Sequence, residues 1–134
     1  MKLLIISAVV LIGLGGIYLF TSSNNSTDAV MKDTSGLSIQ TIKNDMASGG
    51  QLIDVRTSEE YASGHIDGAT NVSLQDIQSG VLPITSKEKP VYVYCRSGNR
   101  SSQAVGVLKA AGFQNVIDLG GMTQVQSLGG VIKS

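Results

Sequence analysis

The chain has 134 residues with 10 basic and 10 acidic side chains, so its formal charge is zero. That length holds one domain and a short appendage, and the absence of a basic run argues against nucleic acid as a partner. One cysteine and one histidine exclude an internal disulfide, a resolving thiol and a cysteine-rich metal site, leave no visible metal cluster, and call for no cofactor.

Met1 and Lys2 precede residues 3–20, an uncharged and largely apolar stretch about long enough to span a hydrocarbon core. The positive residue lies before the stretch and residues 21–28 carry no Lys or Arg. The positive-inside bias therefore puts the rest of the chain outside the cytoplasm, in the periplasm or at the cell surface. A cleaved signal peptide would show a shorter apolar core and a better small-residue site than 21–23. The length favours an uncleaved anchor; cleavage would instead release a secreted domain. Residues 21–36, rich in Ser, Thr and Asn, read as a flexible linker that holds a globular domain, 37–134, off the membrane.

Ser38 opens a helical pattern with Ile39, Ile42 and Met46 on one face, closed by Gly49 and Gly50. Residues 51–56 form a short apolar strand ending in charges. Thr57 and Glu60 make a capping box, which predicts a helix over 58–63 stopped by Gly64. Residues 65–69 read as loop, leading to a brief strand near 70–72, and Ser73 caps a short helix that ends at Gly80. A turn over 87–90 precedes a buried strand over 91–94. Beyond the following loop, Ala104, Val105, Leu108 and Ala111 fall at helical spacing up to Gly112. A last strand over 116–119 passes through Gly120 and Gly121 into a modest helix over 122–128. Strands alternating with helices imply a parallel sheet covered on both faces, with ligands outside the carboxyl ends of its strands.

Cys95 sits at such an end, and Asp54 to Arg56 close a neighbouring strand. Strand, tight loop and helix start build an anion site from backbone. The amides of Arg96, Ser97, Gly98, Asn99, Arg100 and Ser101 converge, and the first helical turn leaves its N–H groups unpaired. A lone cysteine at a strand end is otherwise a small buried hydrophobe. Here the helix dipole and two arginines favour thiolate, the nucleophilic form, so Cys95 is the candidate catalytic residue. Arg96, beside it, reads as the side chain that meets an anionic donor, while Arg100 divides between binding and bracing the loop. Gly98 permits a tight turn. Asp54 and Arg56 are candidate supporting residues, with an ion pair that holds the loops as the simpler account. His65 reads as structural, because a thiolate already stabilised needs no general base, and Tyr92 and Tyr94 read as packing. An exposed thiol of this kind is expected to oxidise readily.

Leu52-Ile53-Asp54-Val55-Arg56, Glu60-Tyr61, Gly64-His65-Ile66-Asp67-Gly68-Ala69 with Asn71, the 95–101 loop, Gly112-Phe113 with Asn115-Val116, and Gly120-Gly121-Met122 together resemble the single-domain rhodanese sulfurtransferases. The likeness covers nearly all of 37–131. One departure is visible: the family commonly has a Trp shortly after Gly-Gly-Met, where this chain has Gln124, Val125 and Gln126. The resemblance implies a doubly wound α/β domain whose central parallel sheet has five strands, with helices on both faces. It also implies transfer of sulfane sulfur. Thiosulfate or a similar donor leaves a persulfide on Cys95, and cyanide or a thiol, small-molecule or protein, removes it. A single cysteine suits a two-step ping-pong scheme, since no second thiol is present to discharge the intermediate.

Two other classes compete. A cysteine phosphatase or arsenate reductase needs Cys-x5-Arg, whereas Cys95 and Arg100 stand at Cys-x4-Arg, a smaller cradle that suits a sulfur better than a phosphate. A rhodanese-like module kept for binding, or for carrying persulfide to an envelope protein, stays open because the sequence does not reveal the acceptor.

Overall fold

The structure, a computed structural model, describes residues 35–134. The apolar stretch 3–20 and linker positions 21–34, on which the anchor and its orientation rest, lie outside the described residues. Among the described residues no helix is long and apolar enough to cross a membrane.

The sheet consists of β1 (Gln51–Asp54), β3 (Thr70–Asn71), β4 (Val91–Cys95) and β5 (Val116–Gly121), all parallel, in the order β3-β1-β4-β5. A strand buried on both faces needs an unbroken apolar run, and all five residues of β4 are buried. Alternation along it sends Val91, Val93 and Cys95 to one face and Tyr92 and Tyr94 to the other. The Cys95 face is covered by Ile77 of α3 (Leu74–Gln78) and by Ala104 and Leu108 of α4 (Asn99–Ala110). The tyrosine face is covered by Ile42 of α1 (Ile39–Ala47) and Val125 of α5 (Met122–Ser127). Helix starts follow the local capping signals: Ser38 accepts from Thr41 N–H and Ser73 from Asp76 N–H. Thr57 and Glu60 cap α2 (Ser58–Ser63) reciprocally.

Two readings need correction. Among the described residues the central sheet has four strands, not the five implied by the resemblance. In addition, residues read as loop form β2 (His65–Ile66), which pairs antiparallel with β6 (Ile132–Lys133) in a separate two-stranded sheet. A two-residue strand leaves no periodicity in the sequence, and its partner lies at the far end of the domain. β5 also runs further than its apolar segment. A register shift after Val93 sets Gly120 against Tyr94 and Gly121 against Cys95.

The tyrosine face carries a buried polar anchor. Arg56 Nε donates to both Asp54 carboxylate oxygens at 3.0 Å, and its Nη2 donates to Asp54 Oδ2 and to Gly64 O, each at 2.6 Å. Tyr94 O–H donates to Asp54 Oδ2 at 2.8 Å and accepts from Ile66 N–H at 3.0 Å. Asn71 Nδ2 reaches the carbonyls of Asp54 and Arg56 at 3.0 and 2.9 Å. These bonds tie together the ends of β1, β3 and β4 and the corner after α2. Asp54 is 0% and Arg56 5% exposed, so each depends on the other for a counter-charge. Asp54→Ala is expected to lower unfolding free energy by about 3–5 kcal/mol, and Tyr94→Phe by about 1–3 kcal/mol. Urea unfolding tests this, and an Asp54→Ala cost below about 1 kcal/mol, the range of an exposed pair, would overturn the anchoring role.

Candidate active site

Cys95 ends β4, and α4 begins four residues on, with Gly98 as its N-cap. Gly98 adopts φ 99, a left-handed conformation open to glycine at little cost, and it has no side chain with which to cap the helix. An N-cap side chain ordinarily accepts from the amide three residues on. Here the Ser101 amide, three residues past the N-cap, turns to the cysteine sulfur instead. Gly98 N–H donates to Cys95 Sγ at 3.0 Å, and Ser101 Oγ lies 3.7 Å from the sulfur. Burial pushes the Cys95 thiol up, but the amides of Ser101, Gly98 and Ser97 and the Ser101 hydroxyl outweigh it and hold the thiol below its ordinary value.

The sulfur is not exposed, contrary to the sequence expectation: Cys95 is 1% accessible. The reason lies in β5. Ser97 bridges to Gly121, and a Cβ built on Gly121 would stand 2.5 Å from Arg96 O. The bulge that delivers Gly120 and Gly121 beneath the loop thus lets it close down on the sheet. The Ser101 hydroxyl donates to Gly98 O at 2.9 Å and lies 3.4 Å from Gly120 O, which ties loop, helix start and β5 at one point.

The two arginines separate. Arg100 makes a two-pronged pair with Glu60 of α2, Nη1 to Oε2 at 2.6 Å and Nη2 to Oε1 at 2.9 Å. Arg96 is exposed, and among the described residues no ion pair or hydrogen bond engages its side chain. Ser97 and Asn99 are exposed on the loop surface, and the Asn99 side chain accepts from Gln103 at 3.0 Å. Asp54 and Arg56 are not brought to the sulfur. They point to the tyrosine face, where their contact with the site runs through Tyr94, the residue before Cys95. His65 stacks on Tyr61 with ring centroids 3.8 Å apart. Three contributions were absent from the sequence reading: the Ser101 hydroxyl, the Gly120–Gly121 floor and the hold of Glu60 on Arg100. Glu60 was already accounted for by its capping box, which hid its second partner.

Arg100 hydrogen bonding, opposed by burial and aided by the Thr57 amide, lowers the Glu60 carboxyl to about 2. A carboxylate held low when folded adds stability above its unfolded pKa, about 4.3, and loses it as pH falls toward its folded one. Between about pH 4.3 and about pH 2, wild type is therefore expected to lose stability that Glu60→Gln never had. Urea unfolding of both proteins across that window checks this, and parallel curves would refute it.

The rhodanese-like domain family model matches residues 38–128. The thiosulfate sulfurtransferase PspE of Escherichia coli (strain K12) is 34% identical over 74 residues, covering 54% of this chain and 71% of PspE. The adenylyltransferase and sulfurtransferase uba4 of Ogataea parapolymorpha is 39% identical over 74 residues, covering 54% of this chain but only 19% of uba4. The crystal structure of the Rhodanese_3 like domain from the Anabaena sp Alr3790 protein superposes with a TM-score of 0.53 at 32% identity, covering 63% of this chain and 98% of that one. With a parallel sheet, a cysteine at the end of a central strand and these relatives, the chain belongs to the rhodanese-like domain family.

Proposed function

We propose that the protein is a sulfurtransferase that moves sulfane sulfur from thiosulfate or a similar donor to cyanide or a thiol through a Cys95 persulfide. The observation that carries this reading is the Cys95 sulfur at the start of α4, accepting from Gly98 N–H at 3.0 Å. The relatives named for sulfurtransfer support it.

In the first half-reaction the Cys95 thiolate attacks the outer sulfur of thiosulfate. The donor S–S bond breaks, its electron pair leaves with sulfite, and Cys95 keeps the sulfur as a persulfide. In the second, the acceptor attacks that outer sulfur and the bonding pair returns to Cys95 as thiolate. Both half-reactions bring anions together. The amide cradle and the exposed Arg96 offset that repulsion, whereas Arg100 is already neutralised by Glu60. Membrane tethering through residues 3–20 and a place outside the cytoplasm belong to the same proposal, supported by Lys2 before the apolar stretch and no Lys or Arg in 21–28. Recovery of the chain at its unprocessed mass in the soluble cell fraction would sink the tether.

One observation favours a second reading, a persulfide carrier serving an envelope protein: at 1% accessibility the sulfur suits a partner whose docking opens the loop.

The test is thiosulfate:cyanide transfer by the full-length chain, wild type beside Cys95→Ser, with intact mass recorded after thiosulfate alone. Thiocyanate and a one-sulfur mass gain, both lost in Cys95→Ser, are expected. Arg96→Ala is expected to raise KM for thiosulfate about tenfold, the equivalent of one charge-assisted contact. A mass gain without thiocyanate would favour the carrier, and neither signal would overturn sulfurtransfer.

A further inference from the structure

A cleft of about 490 Å³ opens beside the reactive loop, between the starts of α2 and α3 at the carboxyl ends of β1 and β3. That volume lies within the range of small-molecule sites. It is distinct from the amide cradle, because Arg100 is the one residue of the 96–101 loop that lines it. Its apolar lining comes from Val55 and Leu74, which pack in the same cluster as Cys95. Val55 N–H donates to Tyr94 O at 3.1 Å, so this wall lies one strand spacing, about 4.8 Å, from the strand that carries the cysteine.

The charge of the cleft differs from that of the cradle. Arg100 arrives already paired with Glu60. Glu59 and Asp76 also line the cleft, both exposed, and among the described residues neither forms an ion pair. The backbone and the Thr57 and Ser58 hydroxyls hold Glu59 below its ordinary pKa, which keeps it anionic near neutrality. A dianionic donor is therefore repelled from this cleft and drawn toward Arg96. The second reactant must satisfy different chemistry. It has to bring a nucleophilic sulfur near Cys95 while tolerating two carboxylates.

Resting on the sulfurtransfer reading, we infer that the cleft between α2 and α3 is the acceptor subsite and that it selects thiols bearing an ammonium group. The ammonium sits against Glu59 and Asp76 and the thiolate points to the loop. An ammonium beside a thiol also lowers the thiol pKa, so such acceptors supply more thiolate at neutral pH. The acceptor thiolate forms a new S–S bond to the outer sulfur of the persulfide. The Cys95–sulfur bond breaks with its electron pair returning to Cys95, and the acceptor leaves as a persulfide. Donor and acceptor are thus sorted by charge to neighbouring sites that share one sulfur.

The experiment loads the full-length protein with thiosulfate, removes the donor, and discharges the same preparation with cysteamine, 2-mercaptoethanol or mercaptoacetate. These short thiols differ in carrying ammonium, hydroxyl or carboxylate. Rates per thiolate are expected to fall in that order, with cysteamine ahead of mercaptoacetate by about tenfold at low salt. The ratio is expected to shrink toward unity in about 1 M salt, a measurement on wild type that needs no variant. The double variant Glu59→Gln/Asp76→Asn is expected to bring it below about twofold even at low salt. A preference that survives in the double variant, or that wild type lacks, overturns the subsite. Failure of Cys95 to take up sulfur from thiosulfate or from inorganic polysulfide is a separate result, and it overturns the sulfurtransfer reading itself.

Discussion

At the start of α4 a sulfur atom does the work of a capping oxygen, and much of the site follows from that exchange of partners. Gly98 holds the N-cap in a left-handed conformation and offers no side chain, and its own amide and that of Ser101 look back to the sulfur at the end of β4. A sulfur satisfies amide donors far better as thiolate than as thiol. Helix formation and thiol ionisation are therefore coupled through the same hydrogen bonds. Because the thiol ionises more readily folded than unfolded, the folded state gains stability as pH rises through the folded value toward the unfolded one. Reactivity and structure draw on a single set of contacts.

β4 serves two masters on its two faces. Cys95 points to α3 and α4, while Tyr94 points the other way and joins the Asp54–Arg56 pair and the Ile66 amide. The polar anchor never touches the sulfur. It fixes the backbone one residue upstream, where a small rotation would carry Cys95 out of reach of the Gly98 amide. On the other side of the loop, Glu60 fixes Arg100 and the Gly120–Gly121 pair supplies a floor without side chains. The loop is held from three directions by elements distant in the chain.

What the sequence made legible was local. Ser38, Thr57 and Ser73 announced their helices because a cap acts over three residues, and β4 stood out because burial on two faces demands an apolar run. The turn after the cysteine could be read for the same reason: strand, glycine and helix start are consecutive. What escaped were partnerships across the fold. Glu60 Oε2 accepts from Thr57 three residues away and from Arg100 forty residues away, and only the first has a spacing that a sequence can advertise. The β2–β6 pairing and the β5 bulge are likewise long-range. Periodicity says which face a residue occupies, not which neighbour it meets there. The sealing of the sulfur follows from the bulge, so it could not be foreseen from a loop that looks open.

That seal has a kinetic consequence. With the sulfur enclosed, its observed reaction rate is the intrinsic rate of the thiolate multiplied by the fraction of molecules whose loop is open. The opening factor is common to every reagent that must pass the same roof, so it scales all their rates together and leaves their relative preferences to the chemistry within. Tightening the roof slows every reaction at the sulfur without making it more selective, and on the proposed reading it would shield a persulfide from stray thiols by the same factor. As the chain has one cysteine, a fast thiol reagent reads that opening fraction directly, with no second thiol to confuse the signal.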